Sequence, residues 1–156
     1  MTATLPDLLD AARARLAGSP TERLGVTASS RRLLGFGRAP RIVPVGDAWH
    51  VGVLLIGADA VFATGGILRA REEAIRGYTA DAQRARAELA AAAFRGGFAE
   101  GETVHVDWQQ IDPDAVAAGG RSGPLLMQDD VPSVVWNAAG GIRPLADYLD
   151  DQLSLR

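Results

Sequence analysis

The sequence predicts an α+β fold, a single domain over residues 1–156 with a largely antiparallel sheet and an N-terminal, a middle and a C-terminal helix packed on it. Three observations predict it. The apolar spacing switches between the helical period and alternation along the chain. The elements run helix, four strands, helix, strand, two strands, helix, so helices do not alternate one for one with strands. The segments between successive strands are short and rich in Gly and Asp, which suits antiparallel reversals and not parallel crossovers. A chain of 156 residues is long enough to bury about 70 % of its unfolded surface, so it needs no covalent staples. No internal repeat, low-complexity tail or linker interrupts it.

Residues Pro6–Leu16 read as the first helix, with Pro6 at its opening and Thr4 or Leu5 before it. Leu5, Leu8, Leu9, Ala12 and Leu16 form one apolar stripe, and Gly18-Ser19-Pro20 stops the helix. Residues 21–40 read as an irregular, loosely ordered basic loop, punctuated by Ser29-Ser30, Gly35, Gly37 and Pro40. Arg41–Val45 reads as a strand, Gly46-Asp47 as a turn, and Trp49–Ile56 as the strongest strand of the chain. Val61–Thr64 and Ile67–Ala70 follow, with Gly65-Gly66 suited to a two-residue hairpin between them. Thr79–Phe94 reads as a helix capped by Thr79, with Ala82, Ala85, Leu89 and Ala93 as its apolar stripe and Gly96 as its left-handed end. Thr103–Trp108 alternates cleanly. Asp112-Pro113-Asp114 opens a short helical turn through Ala118. Gly123–Met127 and Val131–Trp136 read as strands joined at Gln128-Asp129-Asp130, and Arg143–Leu153 as the last helix.

Composition excludes more chemistry than it suggests. The chain has no Cys and no Lys; all 16 basic residues are Arg. Thiol nucleophiles, disulfides, thiolate zinc sites and iron–sulfur ligation are therefore excluded. So are a Schiff-base amine, a P-loop lysine and a Ser–Lys pair. With two His, a three-His metal site cannot be built within one chain. The net charge of −3 argues against a general nucleic-acid binder. That charge is uneven: residues 1–46 carry +4, residues 47–96 are neutral and residues 97–156 carry −7. Opposite signs at the two ends suit attraction in the fold or between subunits, and solvated faces explain them too. The first ten residues have no basic leader and Val51–Ile56 is too short to span a bilayer, so the expected location is cytoplasmic, with no membrane partner.

Two constellations stand out as candidate sites. His50, His105 and Asp107 lie on predicted strands. Asp107 is two residues from His105, about 7 Å away along the backbone on the same face. If the two strands were neighbours, the three groups would suit proton transfer or a weak metal site. A strand histidine bonded to backbone or to an acid explains them as well. The second constellation is the Gly- and Arg-rich stretch with Arg31, Arg32 and Arg38, which suits an anion, as does Arg143 beside a helix start behind Gly140-Gly141. Adjacent acids such as Asp129-Asp130 and Asp150-Asp151 point apart and read as solvated faces. Trp49, Trp108 and Trp136 each end a strand and read as core or interface. Arg121-Ser122-Gly123 is the nearest approach to a serine nucleophile motif, without its strand-to-helix elbow. No pattern names a cofactor or a resident metal.

Arg41-Ile42-Val43-Pro44-Val45-Gly46, Trp49–Leu55, Arg95–Phe98 and Gly140–Leu149 together resemble a group of small Arg-rich actinobacterial proteins, some of which carry the label glutaminase. The resemblance implies an activity that the residues do not support. A serine glutaminase of β-lactamase type needs Ser-x-x-Lys, an amidotransferase needs Cys, and an N-terminal threonine enzyme needs Thr2 exposed, whereas Thr2 stands behind Met1. Three readings remain open. The first is a non-catalytic interaction or structural module that associates as a homo-oligomer. The others are a small-anion or metabolite binder using Arg31, Arg32, Arg38 or Arg143, and a hydrolase using His50, His105 and Asp107.

Overall fold

Thr4 opens the first helix by a local exchange of hydrogen bonds. Its Oγ1 accepts from the Asp7 N–H at 3.3 Å, and Asp7 Oδ2 accepts from the Thr4 N–H at 3.2 Å. The computed structural model describes residues 2–28, 39–73 and 80–156. In chain order its elements are α1 (Leu5–Leu16), β1 (Glu22–Ala28), β2 (Arg41–Val51), β3 (Leu54–Ile56), β4 (Val61–Ala63), β5 (Gly66–Arg69), α2 (Asp81–Arg95), β6 (Thr103–Val106), β7 (Gln109–Gln110), α3 (Pro113–Ala117), β8 (Arg121–Ser122), β9 (Leu125–Gln128), β10 (Val131–Val135), β11 (Ile142–Pro144) and α4 (Leu145–Ser154). The fold is α+β and its strand pairs are mostly antiparallel, as the sequence predicts. Among the described residues no helix is long and apolar enough to cross a membrane. The chain forms two compact units: Met1–Thr21, Ala48–Thr64 and Trp108–Arg156 make the first, Glu22–Asp47 and Gly65–Asp107 the second.

The first unit gathers α1, the end of β2, β3, β4, β7 and everything from α3 onward. Leu5, Leu9, Ala12 and Leu16 are buried along α1 at helical spacing, with Leu8 packed at the margin. Replacing Thr4 by Ala removes one half of the capping exchange. It should cost about 1 kcal/mol, read as a thermal midpoint lower by roughly 2–4 °C. The basic start and acidic end of the chain meet here: Arg15 Nη1 lies 2.8 Å from Asp150 Oδ1. The expected strand Trp49–Ile56 is instead a hairpin, with Trp49 opposite Ile56 and Val51 opposite Leu54. The chain reverses at Gly52, whose φ is +59°. A Cβ there would sit 1.8 Å from the Tyr148 hydroxyl, which accepts the Val53 N–H at 2.9 Å. Conversely, the expected turn at Gly46-Asp47 is uninterrupted strand within β2.

The second sheet of this unit runs β11–β10–β9–β8. Its β9–β10 reversal falls at Asp129-Asp130, both left-handed with φ of 51° and 62°, as a two-residue hairpin of type I′ requires. The last helix starts at Leu145; Arg143 and Pro144, expected in it, belong with Ile142 to β11 against β10. Ile142 is exposed there, while Leu145, Tyr148 and Leu149 are buried.

The second unit is a sheet in the order β5–β6–β1–β2, with the start of β2 at its edge, and α2. Residues 22–28, expected to be irregular, form β1. They pair in parallel with β6, Arg23 opposite Val104 and Leu24 opposite His105. Residues 29–38 of the expected basic loop lie outside the described residues. Gly65-Gly66 does not close a hairpin, because β4 pairs with β3 and β7 while β5 pairs with β6. Thr79 lies outside the described residues; α2 begins after Ala80, which makes no side-chain cap. Of the expected stripe, Ala93 alone is buried, beside Ala91 and Ala92, and Leu89 is exposed. The helix meets the core by its last turn, so three consecutive alanines are covered instead of one face. Its end is a Schellman motif: Phe98 N–H reaches Ala93 O at 3.1 Å and Gly97 N–H reaches Phe94 O at 3.2 Å. The left-handed residue is Gly97, with φ +115°, and not Gly96 as expected from the sequence.

Candidate functional site

The two histidines sit in different units. His50, near the end of β2 in the first unit, places Nε2 2.9 Å from Gly52 O, and its own carbonyl accepts from Arg156. His105 occupies β6 at the centre of the second unit's sheet and is fully buried. Leu24 is its neighbour across the parallel ladder. Glu22, two residues before Leu24, therefore shares its face, and Glu22 Oε1 lies 3.4 Å from His105 Nε2. A protonated ring would make this an ion pair; a neutral ring can donate a long hydrogen bond. A ring without exposed surface meets a substrate only after its surroundings open.

Asp107, expected to flank His105, lies past the end of β6 with a left-handed φ of 55°. The alternation that placed it on the His105 face stops at Val106. The carboxylate beside the buried imidazole is thus Glu22, which the sequence reading set in a loop.

Arg31, Arg32 and Arg38 lie outside the described residues. Arg143 is on β11, and its guanidinium is taken by Asp151 Oδ2 at 2.6 Å and lies 6.0 Å from the Tyr148 ring centroid. Gly140-Gly141 does not precede a helix. It belongs to the β10–β11 turn, where Gly140 N–H donates to Asn137 O at 3.1 Å and Trp136 N–H to Gly141 O at 3.0 Å. The helix-terminal anion cradle expected there is not formed. Among the serines, the Ser122 hydroxyl accepts from Asp112 N–H, while those of Ser133 and Ser154 donate to backbone carbonyls.

The three tryptophans take separate roles in the first unit. Trp49 donates Nε1–H to Ser19 O at 3.1 Å. Trp108 meets Phe62 edge to face at 5.1 Å. Trp136 is 45 % exposed, and it lines an open groove of about 400 Å³. Val53, Ala63, Pro124 and Val135 supply apolar wall; Arg121, Thr64 and Asn137 supply the polar groups.

Local structure explains each polar group. Arg121 opens β8, opposite Leu126, and is held by a bond from Nε to Gly123 O at 3.1 Å in the β8–β9 reversal. Among the described residues no carboxylate pairs with it. Asn137 Oδ1 accepts the Gly141 N–H at 2.8 Å, which fixes its amide beside the turn. A Cβ at Gly141 would lie 2.9 Å from Trp136 Nε1 and 3.0 Å from Asn137 Nδ2, so the bare glycine lets both side chains settle beside the turn. Thr64 Oγ1 donates to Val53 O at 3.3 Å. The groove therefore presents a tethered guanidinium, an amide donor and an indole at one apolar surface. In the sequence Arg121-Ser122-Gly123 stands out only as the nearest approach to a serine motif. The available signal was that Arg121 is one of three Arg in the strongly acidic last 60 residues.

Comparison with known proteins returns no matching family model, no matching curated protein and no matching solved structure.

Proposed function

We propose that the protein is a non-catalytic binding module whose first unit takes a small anionic metabolite in the Arg121–Trp136 groove. The observation that carries this reading is a guanidinium at a groove of ligand size that no carboxylate among the described residues neutralises. Small-molecule sites are concave, mostly apolar, about 300–1,000 Å³, and carry a few fixed polar groups. A volume of about 400 Å³ with one cation and one amide donor meets that description. The anion site expected from the sequence thus moves from Arg143, which has Asp151, to Arg121.

A thermal melt against simple anions tests the proposal. A ligand at a hundred times its dissociation constant adds about 2.7 kcal/mol, which moves the midpoint of a chain of this size by several degrees. Arg121→Ala should abolish the shift and leave the midpoint without ligand within about 1–2 °C of the parent, since exposed substitutions stay within roughly 0.5 kcal/mol. Arg121→Lys should keep part of it, because an ammonium preserves charge but not the planar fork. A shift that survives Arg121→Ala unchanged removes the groove from consideration.

A further inference from the structure

We infer that the ligand of this groove is an aromatic monocarboxylate, a flat ring system bearing a single carboxylate; the inference rests on the anion-site reading above and narrows it. The charge count comes first. Arg121 is the one charged side chain among the lining residues, so the site balances one negative charge. A phosphate dianion or a dicarboxylate would leave charge uncompensated against an apolar wall. The shape of the cation comes second. With Nε tied to Gly123 O, the remaining guanidinium donors suit a planar, two-oxygen acceptor.

The third observation is Trp136. It is 45 % exposed on the groove wall, and its Nε1 edge is the side set against Gly141. An aromatic ligand gains from this ring beyond the area it buries, because paired rings prefer offset or edge-to-face contact. Asn137 also lines the groove, where its amide offers both a donor and an acceptor, and the Arg121 charge itself favours an anion over an amine.

Titration calorimetry with benzoate, 2-naphthoate, cyclohexanecarboxylate and inorganic phosphate tests the inference on the whole chain. Benzoate should bind about threefold to tenfold tighter than cyclohexanecarboxylate, the range set by aromatic pairing. Trp136→Leu keeps apolar bulk and should erase that preference while both acids still bind; unchanged far-ultraviolet dichroism confirms that the variant is folded. Arg121→Ala should abolish binding of both acids. Equal affinity for the two acids in the parent, or a preference that survives Trp136→Leu, overturns the aromatic assignment and leaves an Arg121-dependent anion site. Phosphate binding tighter than every carboxylate does the same. Binding of none of the four, or binding that ignores Arg121, overturns both readings.

Discussion

Replacing Gly96 by Ala should destabilise the second unit by about 3 kcal/mol, at the upper end of ordinary overpacking costs. For a chain of this size that is a fall in thermal midpoint of roughly 6–12 °C. The expected sign is opposite to helix propensity, because Gly96 has right-handed helical φ of −79° and Ala is the better helix former. The cause is a backbone approach. A Cβ on Gly96 would lie 1.6 Å from Ile42 O and 2.4 Å from its carbonyl carbon. Neither chain can step aside freely. Arg41 donates from Nε and Nη2 to Arg95 O, at 3.1 and 2.8 Å, and Arg95 Nη2 donates to Pro40 O at 2.8 Å. These bonds tie the end of α2 to the start of β2 and satisfy a helix carbonyl with a cation. Gly97→Ala is the control. Its φ of +115° is strained for Ala, yet no atom lies within 4 Å of the added methyl, so it should cost about 1–2 kcal/mol. A Gly96→Ala variant as stable as the parent would show that the two backbones do not meet.

The elements that could be read from the sequence are those whose cause is local. The Thr4–Asp7 exchange, the Asp112 cap of α3 and the Asp129-Asp130 turn each involve residues two or three apart. Pattern and cap agreed there, and the structure has those elements where they were expected. The misread elements have their cause far along the chain. β1 holds its place by pairing in parallel with β6 and by Gly25, where a Cβ would meet Ile42 Cγ2 at 2.6 Å and Val104 Cγ1 at 3.0 Å. Nothing near residue 25 announces that. The reversal at Gly52 needs Tyr148, and Val53 is apolar, so the turn hides inside a hydrophobic run.

The same contrast governs the candidate residues. Arg143 looked available because Asp151 lies eight residues away, and α4 brings it back alongside. Arg121 looked unremarkable because its groove is assembled from β4, the β8–β9 reversal and the turn after β10. Glu22 could be assigned to His105 only once β1 was known to be a strand, since the register then sets which carboxylate shares the imidazole's face. Residue type indicated the chemistry; pairing decided which copy of each type could perform it.

Phe98→Ala should be the most damaging single truncation in the second unit, at about 3–5 kcal/mol. The core there is thin: Ile42, Ala70, Ala92, Ala93, Val104 and Val106 surround one fully buried aromatic. Small neighbours cannot collapse far into the space the ring leaves, so most of the cavity cost is retained. The backbone N–H of Phe98 closes the Schellman motif of α2 on Ala93 O, and the ring carries the Arg23 guanidinium 4.8 Å from its centroid. Gly25 packs beside the ring as well: a Cβ on it would lie 3.3 Å from Phe98 Cζ, beyond the closer Ile42 and Val104 side chains. Total stabilities of about 5–15 kcal/mol make this loss a large share of the whole. All three tryptophans belong to the first unit, so their emission is the wrong probe. Amide hydrogen exchange along β1, β6 and the last turn of α2 is the right one, and protection there should fall by two orders of magnitude or more, since each 1.4 kcal/mol is about tenfold. Phe98→Leu restores much of the volume and should recover most of the protection. Unchanged protection in Phe98→Ala would mean that the sheet of this unit holds together without its aromatic centre, and that the backbone ties between α2 and β2, tested through Gly96, carry the unit instead.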